Sequence, residues 1–246
     1  MICHQKIIRE ERAAKDLDAD LFGRYWEHIN RDINNAKVDE ISSQLAKTII
    51  LKYEWLKSMP AIPLHCYGIF YDNHLGGVAV YSPDYIENLG VWDSYGYTGK
   101  IILLSRGACV HWAHPHSASK LISTSIKMLP EKYRVVTATV DREAGEIGTI
   151  YQACNFHYAG VMSKGGRGFV VQDGKKKLGH SARRAREFDS GLKYEQQKRK
   201  ERYFYFRGNK KERLELIGRL ISKIKPYPKR TKTAHESTPT SVMVTR

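Results

Sequence analysis

Cysteine is sparse in this 246-residue chain and sits without pattern. Cys3, Cys66, Cys109 and Cys154 are far apart and none belongs to a CxxC pair, so neither a zinc-ribbon framework nor a redox dithiol is expected. Buried thiols in a reducing compartment are the simple reading. No stretch approaches the roughly 18–20 consecutive apolar residues that cross a bilayer. The opening MICHQKIIREERAAKD also lacks the apolar run and small-residue cleavage site of a secretory signal. The expectation is a cytoplasmic protein with no membrane partner. Equally absent are HExxH, GxSxG, the GxxxxGK[ST] phosphate loop, and the HxE with PCxxC pattern of a zinc base deaminase. Internal repeats are missing too.

What is present is charge, unevenly placed. The formal net charge is +15, yet residues 1–174 hold 19 Lys/Arg against 19 Asp/Glu, whereas residues 175–230 hold 20 against 6. An excess confined to one segment repels itself and creates a field that attracts a polyanion. The division predicts an α/β body over 1–174, a basic nucleic-acid-binding extension over 175–230 and a flexible tail over 231–246. A solubilising tail, or a basic helix on an anionic membrane, is the alternative; interleaved Tyr and Phe favour nucleic acid. Lys175, Lys176, Lys177, Arg183, Arg184, Arg186, Lys198, Arg199, Lys200 and Arg202 are the candidate phosphate contacts. The rings of Tyr203 to Phe206 are expected to divide between core packing and stacking on bases.

The 41% apolar fraction supports a sizeable core. The first sixty residues read as mainly helical, with Ile41, Leu45, Ile49 and Leu56 as an apolar stripe. Residues 62–81 read as a hairpin turning at Asp72-Asn73. Residues 82–99 form an aromatic, glycine-rich excursion, either a packing cluster or a substrate-facing loop. From 101 to 162 the order is strand, helix, strand, helix, strand. The first of these helices has Leu121, Ile122, Ser125, Ile126 and Leu129 on one face and Ser117 or Ser119 as cap. Parallel strands would then be joined by right-handed crossovers, with functional groups at their carboxyl ends. The run KKKLGHSARRAREFD suits a short basic helix. A later one, ERLELIGRLISKIK, would turn Leu214, Ile217, Leu220, Ile221 and Ile224 toward a core.

Several polar groups fall where such a fold collects chemistry. In LHCYG, strand alternation puts His65 and Tyr67 on one face; they read as a base or metal ligand beside a phenol, or as a half-buried hydrogen-bonded pair. His111, His114 and His116 form HWAHPH, which could hold a metal, touch phosphate or face solvent. Asp141 at a strand end could act as base, ligate metal, fix an amine or cap the next helix, and Tyr151 could share its cleft. Arg106 suits a cofactor phosphate or a surface ion pair, with Ser105 orienting a neighbour. Ser117, Ser119 and Lys120 offer donors for phosphate at a helix start.

Taken together, LHCYG, LSRGACVHWAHPH and VVTATVDREAGEIGTIYQACNFHYAG resemble the Mom family of phage DNA adenine-modification proteins, over roughly residues 60–162. That family is in turn similar to the GNAT acetyltransferases. The resemblance implies an acetyltransferase-like mixed central sheet flanked by helices, followed by a basic helical extension. It implies a transferase that converts adenine N6 to an acetamido-type derivative in double-stranded DNA and protects phage DNA from restriction, in the cytoplasm of a phage or prophage host. It implies acetyl-CoA or a related acyl donor, and iron. Carried residue by residue, it marks His65, Tyr67, Asp141, Tyr151 and Ser123 (or Ser119) as catalytic, Ser105, Arg106, Ser117, Ser119 and Lys120 as donor-binding, and His65, Asp141 and Tyr151 as metal ligands. The sequence departs from acetyltransferases where their Q/RxxGxG/A loop would stand, reading instead from His111 to Ala118 without that glycine spacing. A non-catalytic basic DNA-binding accessory protein, or an acetyltransferase acting on a protein or small amine, is the competing reading.

Overall fold

The computed structural model describes residues 3–18, 25–87, 90–162, 168–172, 175–178, 191, 195–196 and 200–229. Among these residues ten strands occur: β1 (Lys37–Glu40), β2 (His65–Tyr71), β3 (His74–Ser82), β4 (Ile101–Cys109), β5 (Val135–Val140), β6 (His157–Gly160), β7 (Gly168–Gln172), β8 (Lys175–Leu178), β9 (Glu195–Gln196) and β10 (Glu201–Phe206). Five α-helices are described beside them: α1 (His4–Asp18), α2 (Ser43–Tyr53), α3 (Ser117–Met128), α4 (Thr149–Ala153) and α5 (Lys210–Leu220).

Seven strands form the main sheet in the order β1-β2-β3-β4-β5-β10-β6, and β8-β7-β9 form a small separate sheet. Within the main sheet β4 and β5 pair in parallel and every other pair is antiparallel. This is the expected mixed central sheet flanked by helices, with the basic α5 following it.

Local chemistry accounts for most boundaries. At the β2–β3 turn Asp72 and Asn73 both take positive φ, +44° and +67°, the type I′ geometry whose twist matches antiparallel strands. Ser42 caps α2 by accepting from Leu45 N at 3.1 Å, and Asn209 caps α5 by accepting from Glu212 N at 2.9 Å. The α3 face is the one read from sequence: Leu121, Ile122, Ser125, Ile126 and Leu129 are all buried. The Tyr71 and Tyr81 hydroxyls meet Ser117 and Ser125 of this helix at 2.7 and 2.8 Å. Neither serine at its start is the cap; His116 holds that position without a side-chain bond.

Other expectations are corrected. The first sixty residues include β1, an exposed edge strand whose Lys-Val-Asp-Glu sequence carries no alternating apolar signal. The buried face of α2 is Ala46, Ile49, Ile50 and Tyr53, with Leu45 39% exposed. Lys175–Leu178 is a strand, not the start of a helix. On α5 the buried residues are Leu216 and Leu220, while Leu214 and Ile221 face outward.

The largest correction concerns Glu201–Phe206. This strand lies inside the main sheet, antiparallel to both β5 and β6, so the segment past residue 174 completes the body. Tyr203, Phe204 and Phe206 are buried and unavailable to bases. Phe204 and Phe206 join Trp92, Tyr97, Leu216 and Leu220 in a second core, which identifies the 82–99 excursion as a packing cluster. Tyr97 also donates its hydroxyl to Leu216 O at 2.7 Å, fastening α5.

Arg202 is likewise no phosphate contact. It is 4% exposed, pairs with Asp84 at 2.6 Å, lies beside the Thr137 hydroxyl at 3.4 Å and stacks over Trp92. Removing one partner of a buried pair strands the other charge. Asp84→Ala is expected to destabilise the fold by about 3–5 kcal/mol, and Asp84→Leu with Arg202→Met to recover much of that loss, both read from urea midpoints.

Candidate functional site

The site begins at a defect in the sheet. Tyr81 pairs with Leu104 but Val80 pairs with Arg106, leaving Ser105 as an extra residue on β4. Such a bulge bends the strand that carries it. At the same place the parallel ladder to β5 ends: Ile101 to Leu104 pair with Val135 to Ala138, while β4 continues along β3 and β5 along β10. The two strands part, and a cavity of about 320 Å³ opens between them. Its walls include Leu104 and Gly107 to Cys109 of β4, Val140 of β5, Leu121 and Ile122 of α3, the segment Gly145–Tyr151, Gln5, Lys6 and Arg9 of α1, and Cys3 just before that helix.

Gly148 closes the floor. It has φ +74°, and a Cβ there would lie 2.5 Å from the Tyr203 ring. That contact brings the Tyr203 hydroxyl to Ile147 O at 2.6 Å.

Three carboxylates interact here, Glu146 on the cavity wall with Asp141 and Glu54 coupled to it. The Asp141 N–H donates to Glu146 Oε2 at 3.0 Å, and Lys200 Nζ stands 3.8 Å from Asp141 Oδ2. Burial raises the Glu146 pKa, with the Asp141 charge adding to it and the Asp141 N–H and Lys200 opposing. Glu54, which ends α2, is also raised: burial is the main cause, Arg106 opposes it and Glu146 adds to it. Tyr151, on the cavity wall, is held in its protonated form by burial and then by Glu146, Tyr81 and Glu54. Cys109 is pushed up to about 11 by burial, which leaves its thiol protonated and poorly nucleophilic at neutral pH. The arrangement thus offers carboxylates of raised basicity beside a neutral phenol, a combination suited to moving one proton.

Asp141 and Tyr151 therefore share one site, linked through Glu146. His65 does not join them. It lies on β2, with β3 and β4 intervening before β5, three inter-strand steps of about 14 Å in all. There it faces Glu40 at 3.8 Å and the edge of Tyr133. Tyr67 is buried against Tyr81, its pKa pushed up to about 12 by burial and then by Glu40. The exposed Ser123 turns its hydroxyl toward Cys154 Sγ at 3.6 Å. Among the described residues no group of three or more His, Cys, Asp or Glu side chains is disposed to hold a metal. The ligand set His65, Asp141 and Tyr151 thus does not fit an iron site.

The expected donor-binding residues are engaged within the fold. Ser105 Oγ donates to Val80 O at 3.0 Å, and Arg106 Nε to Ser58 O at 2.7 Å. Ser117 is buried, its Oγ donating to His114 O at 2.5 Å; Ser119 Oγ donates to His116 O at 2.9 Å. Lys120 Nζ donates to Ile33 O at 2.5 Å. His111 meets the Tyr53 hydroxyl at 3.0 Å. Lys200 serves Asp141. The side chains of Lys175, Lys176 and Lys177, together with Arg183, Arg184, Arg186, Lys198 and Arg199, lie outside the described residues.

Sequence reading missed Glu54 and Glu146. Glu146 left a signal, an acid between Gly145 and Gly148 just past a strand end; Glu54 left none, because its burial depends on α2 packing over β3 and β4.

A carboxyl group whose folded pKa is raised binds its proton more tightly in the folded state. Its favourable contribution is present below the ordinary value of 4.5 and is lost as pH climbs through the raised one. Glu54→Gln, which keeps an oxygen for the Leu56 N–H, is therefore expected to raise the thermal midpoint at pH 7 and leave it unchanged near pH 4.

No curated protein matches the chain. Among solved structures, a GNAT-family acetyltransferase from Bacillus cereus is 12% identical with a TM-score of 0.40, covering 71% of this chain and 99% of that one. Another from Elizabethkingia anophelis, with acetyl-CoA bound, is 10% identical at 0.41, covering 71% and 99%. The polyamine N-acetyltransferase of Drosophila melanogaster is 7% identical at 0.39, covering 70% and 100%. Assignment does not rest on likenesses of that strength. It rests on the family model that matches residues 35–229, by which the chain belongs to the Mom protein family.

Proposed function

We propose that the protein is a transferase that converts adenine N6 in double-stranded DNA to an acetamido-type derivative, with an acyl thioester such as acetyl-CoA as donor. The observation that carries this reading is the cavity between the parted parallel strands, with Glu146 and Tyr151 on its wall. Family membership supports DNA as the substrate.

The exocyclic amine of adenine is a weak nucleophile, because its lone pair is delocalised into the ring. Loss of an N6 proton to Glu146 as the N–C bond forms would overcome that weakness, and the raised basicity of Glu146 suits the task. Asp141 positions Glu146 through its N–H. The Tyr151 hydroxyl is a donor for developing negative charge. The donor supplies an activated acyl carbon, whose C–S bond breaks once the N–C bond has formed, so that the donor leaves as its thiol with the proton that Glu146 took from N6. The open edge of β4 at Gly107 to Cys109 suits its amide-bearing arm, since backbone groups there have no partner from β5.

Paired and stacked adenine hides N6, so the base must leave the helix, at a cost of a few kcal/mol offset by phosphate contacts. Those contacts are assigned to Lys175 to Lys177, Arg183, Arg184, Arg186, Lys198 and Arg199, in the segment carrying the charge excess. The reading does not use iron.

Nucleosides from DNA coexpressed with the protein should show added mass on deoxyadenosine. Glu146→Gln and Tyr151→Phe should lower that product by about a hundredfold or more while DNA affinity persists, and His65→Ala should retain it. Unchanged deoxyadenosine under verified expression would instead leave a DNA-binding protein without this activity.

A further inference from the structure

A nucleotide-bearing donor brings phosphates, and the residues expected to receive them at the start of α3 are engaged elsewhere. Ser117, Ser119 and Lys120 all donate to main-chain carbonyls. The cations that do line the cavity come from α1.

Lys6, Arg9, Arg12 and Lys15 recur every third residue, each turned about 60° from the last, so that Arg9 and Arg12 share a side of that helix while Lys15 falls opposite Lys6. The shared side meets the body: Arg9 Nη2 donates to His111 O at 3.2 Å and Arg12 Nε to Lys52 O at 3.3 Å. Gln5 Nε2 donates to Gly107 O at 2.8 Å, on the stretch of β4 that β5 has left. Among the α1 residues whose burial is described, His4 to Lys15, none is buried, and polar contacts together with the His4–Trp55 ring contact tie the helix to the body. Among the described residues Glu146 is the one carboxylate on the cavity wall. The Lys6–Glu10 contact, 3.7 Å between two exposed side chains, is weak competition for a phosphate. α1 also precedes the segment matched by the family model, so this covering is added to the family's shared region.

We propose that α1 is the phosphate-binding element of the donor site, with Lys6 gripping the phosphates of a phosphorylated pantetheine thioester, the Arg9 guanidinium adding its charge from its bond to His111 O, and Gln5 anchoring the helix to β4. This rests on the acyl-thioester reading of the cavity. The cavity gives the arm a largely apolar wall of Leu104, Ala108, Leu121 and Ile122, and the cations stand where a phosphate's charge stays partly hydrated.

The test is calorimetric titration of the full chain with coenzyme A and, separately, with pantetheine, which lacks the nucleotide phosphates. The wild-type protein should bind coenzyme A more tightly, with affinity falling as salt rises. Lys6→Ala with Arg9→Ala should lose about tenfold to a hundredfold for coenzyme A and nothing for pantetheine. Lys6→Glu, which leaves the Gln5, Arg9 and Arg12 anchors in place, should lose coenzyme A selectively too, and Lys15→Ala should match wild type. Undiminished coenzyme A affinity in the double variant and in Lys6→Glu overturns the proposal. So does a parallel loss of pantetheine, which would mean that the helix had detached. Should the wild-type chain bind neither compound, the thioester reading of the cavity falls first, and this inference with it.

Discussion

One extra residue on one strand governs this molecule. With Ser105 inserted opposite the Val80–Tyr81 step, β4 bends at the point where its four-pair ladder to β5 ends. Two hydrogen-bonded parallel strands leave no room between them, and two diverging ones leave a cavity with an unpaired backbone edge. The Ser105 hydroxyl bonded to Val80 O helps secure the bulge, so a residue placed among donor-binding candidates acts one step earlier, by making the space. Asp141, Glu146 and Tyr151 then follow directly from β5, and their common environment results from how that strand leaves its neighbour.

Part of the positive charge past residue 174 is spent on the fold itself. Arg202 is spent inside the sheet on Asp84. Arg207 donates to Leu129 O, Pro130 O and Tyr133 O at 2.7, 2.8 and 2.7 Å, covering the carbonyl end of α3, where a cation is favoured by the helix dipole. Arg219 reaches Glu215 and the carbonyls of Tyr95 and Gly96. A guanidinium can bond several carbonyls at once in fixed geometry, so an arginine-rich segment can assemble a fold as readily as it can attract a polyanion. Net charge does not register which arginines are engaged in this way; their contacts do.

Elements whose signal is local were legible: the Asp72-Asn73 hairpin, the α3 stripe, and the alternation of strands and helices from 101 to 162. Half of the site was legible as well, since Asp141 and Tyr151 stand at a strand end and on the following helix. The rest was not, because it depends on strand order. His65 was joined to Asp141 by the family resemblance alone, and β3 and β4 stand between β2 and the strand that Asp141 follows. Glu54 became part of the site only because the end of α2 brings its buried carboxyl within electrostatic reach of Glu146.

By itself the sequence determined the α/β character, the placement of charge, the hairpin, the main helix and the resemblance to the Mom family, because each is written in neighbouring residues or in short spacings. Only the tertiary structure decided that β10 enters the sheet, that Arg202 is buried, that α1 covers the cavity, and which carboxylates couple to Glu146 on its wall. Those outcomes join residues tens of positions apart, and their energies depend on what is excluded from water once all the strands are in place.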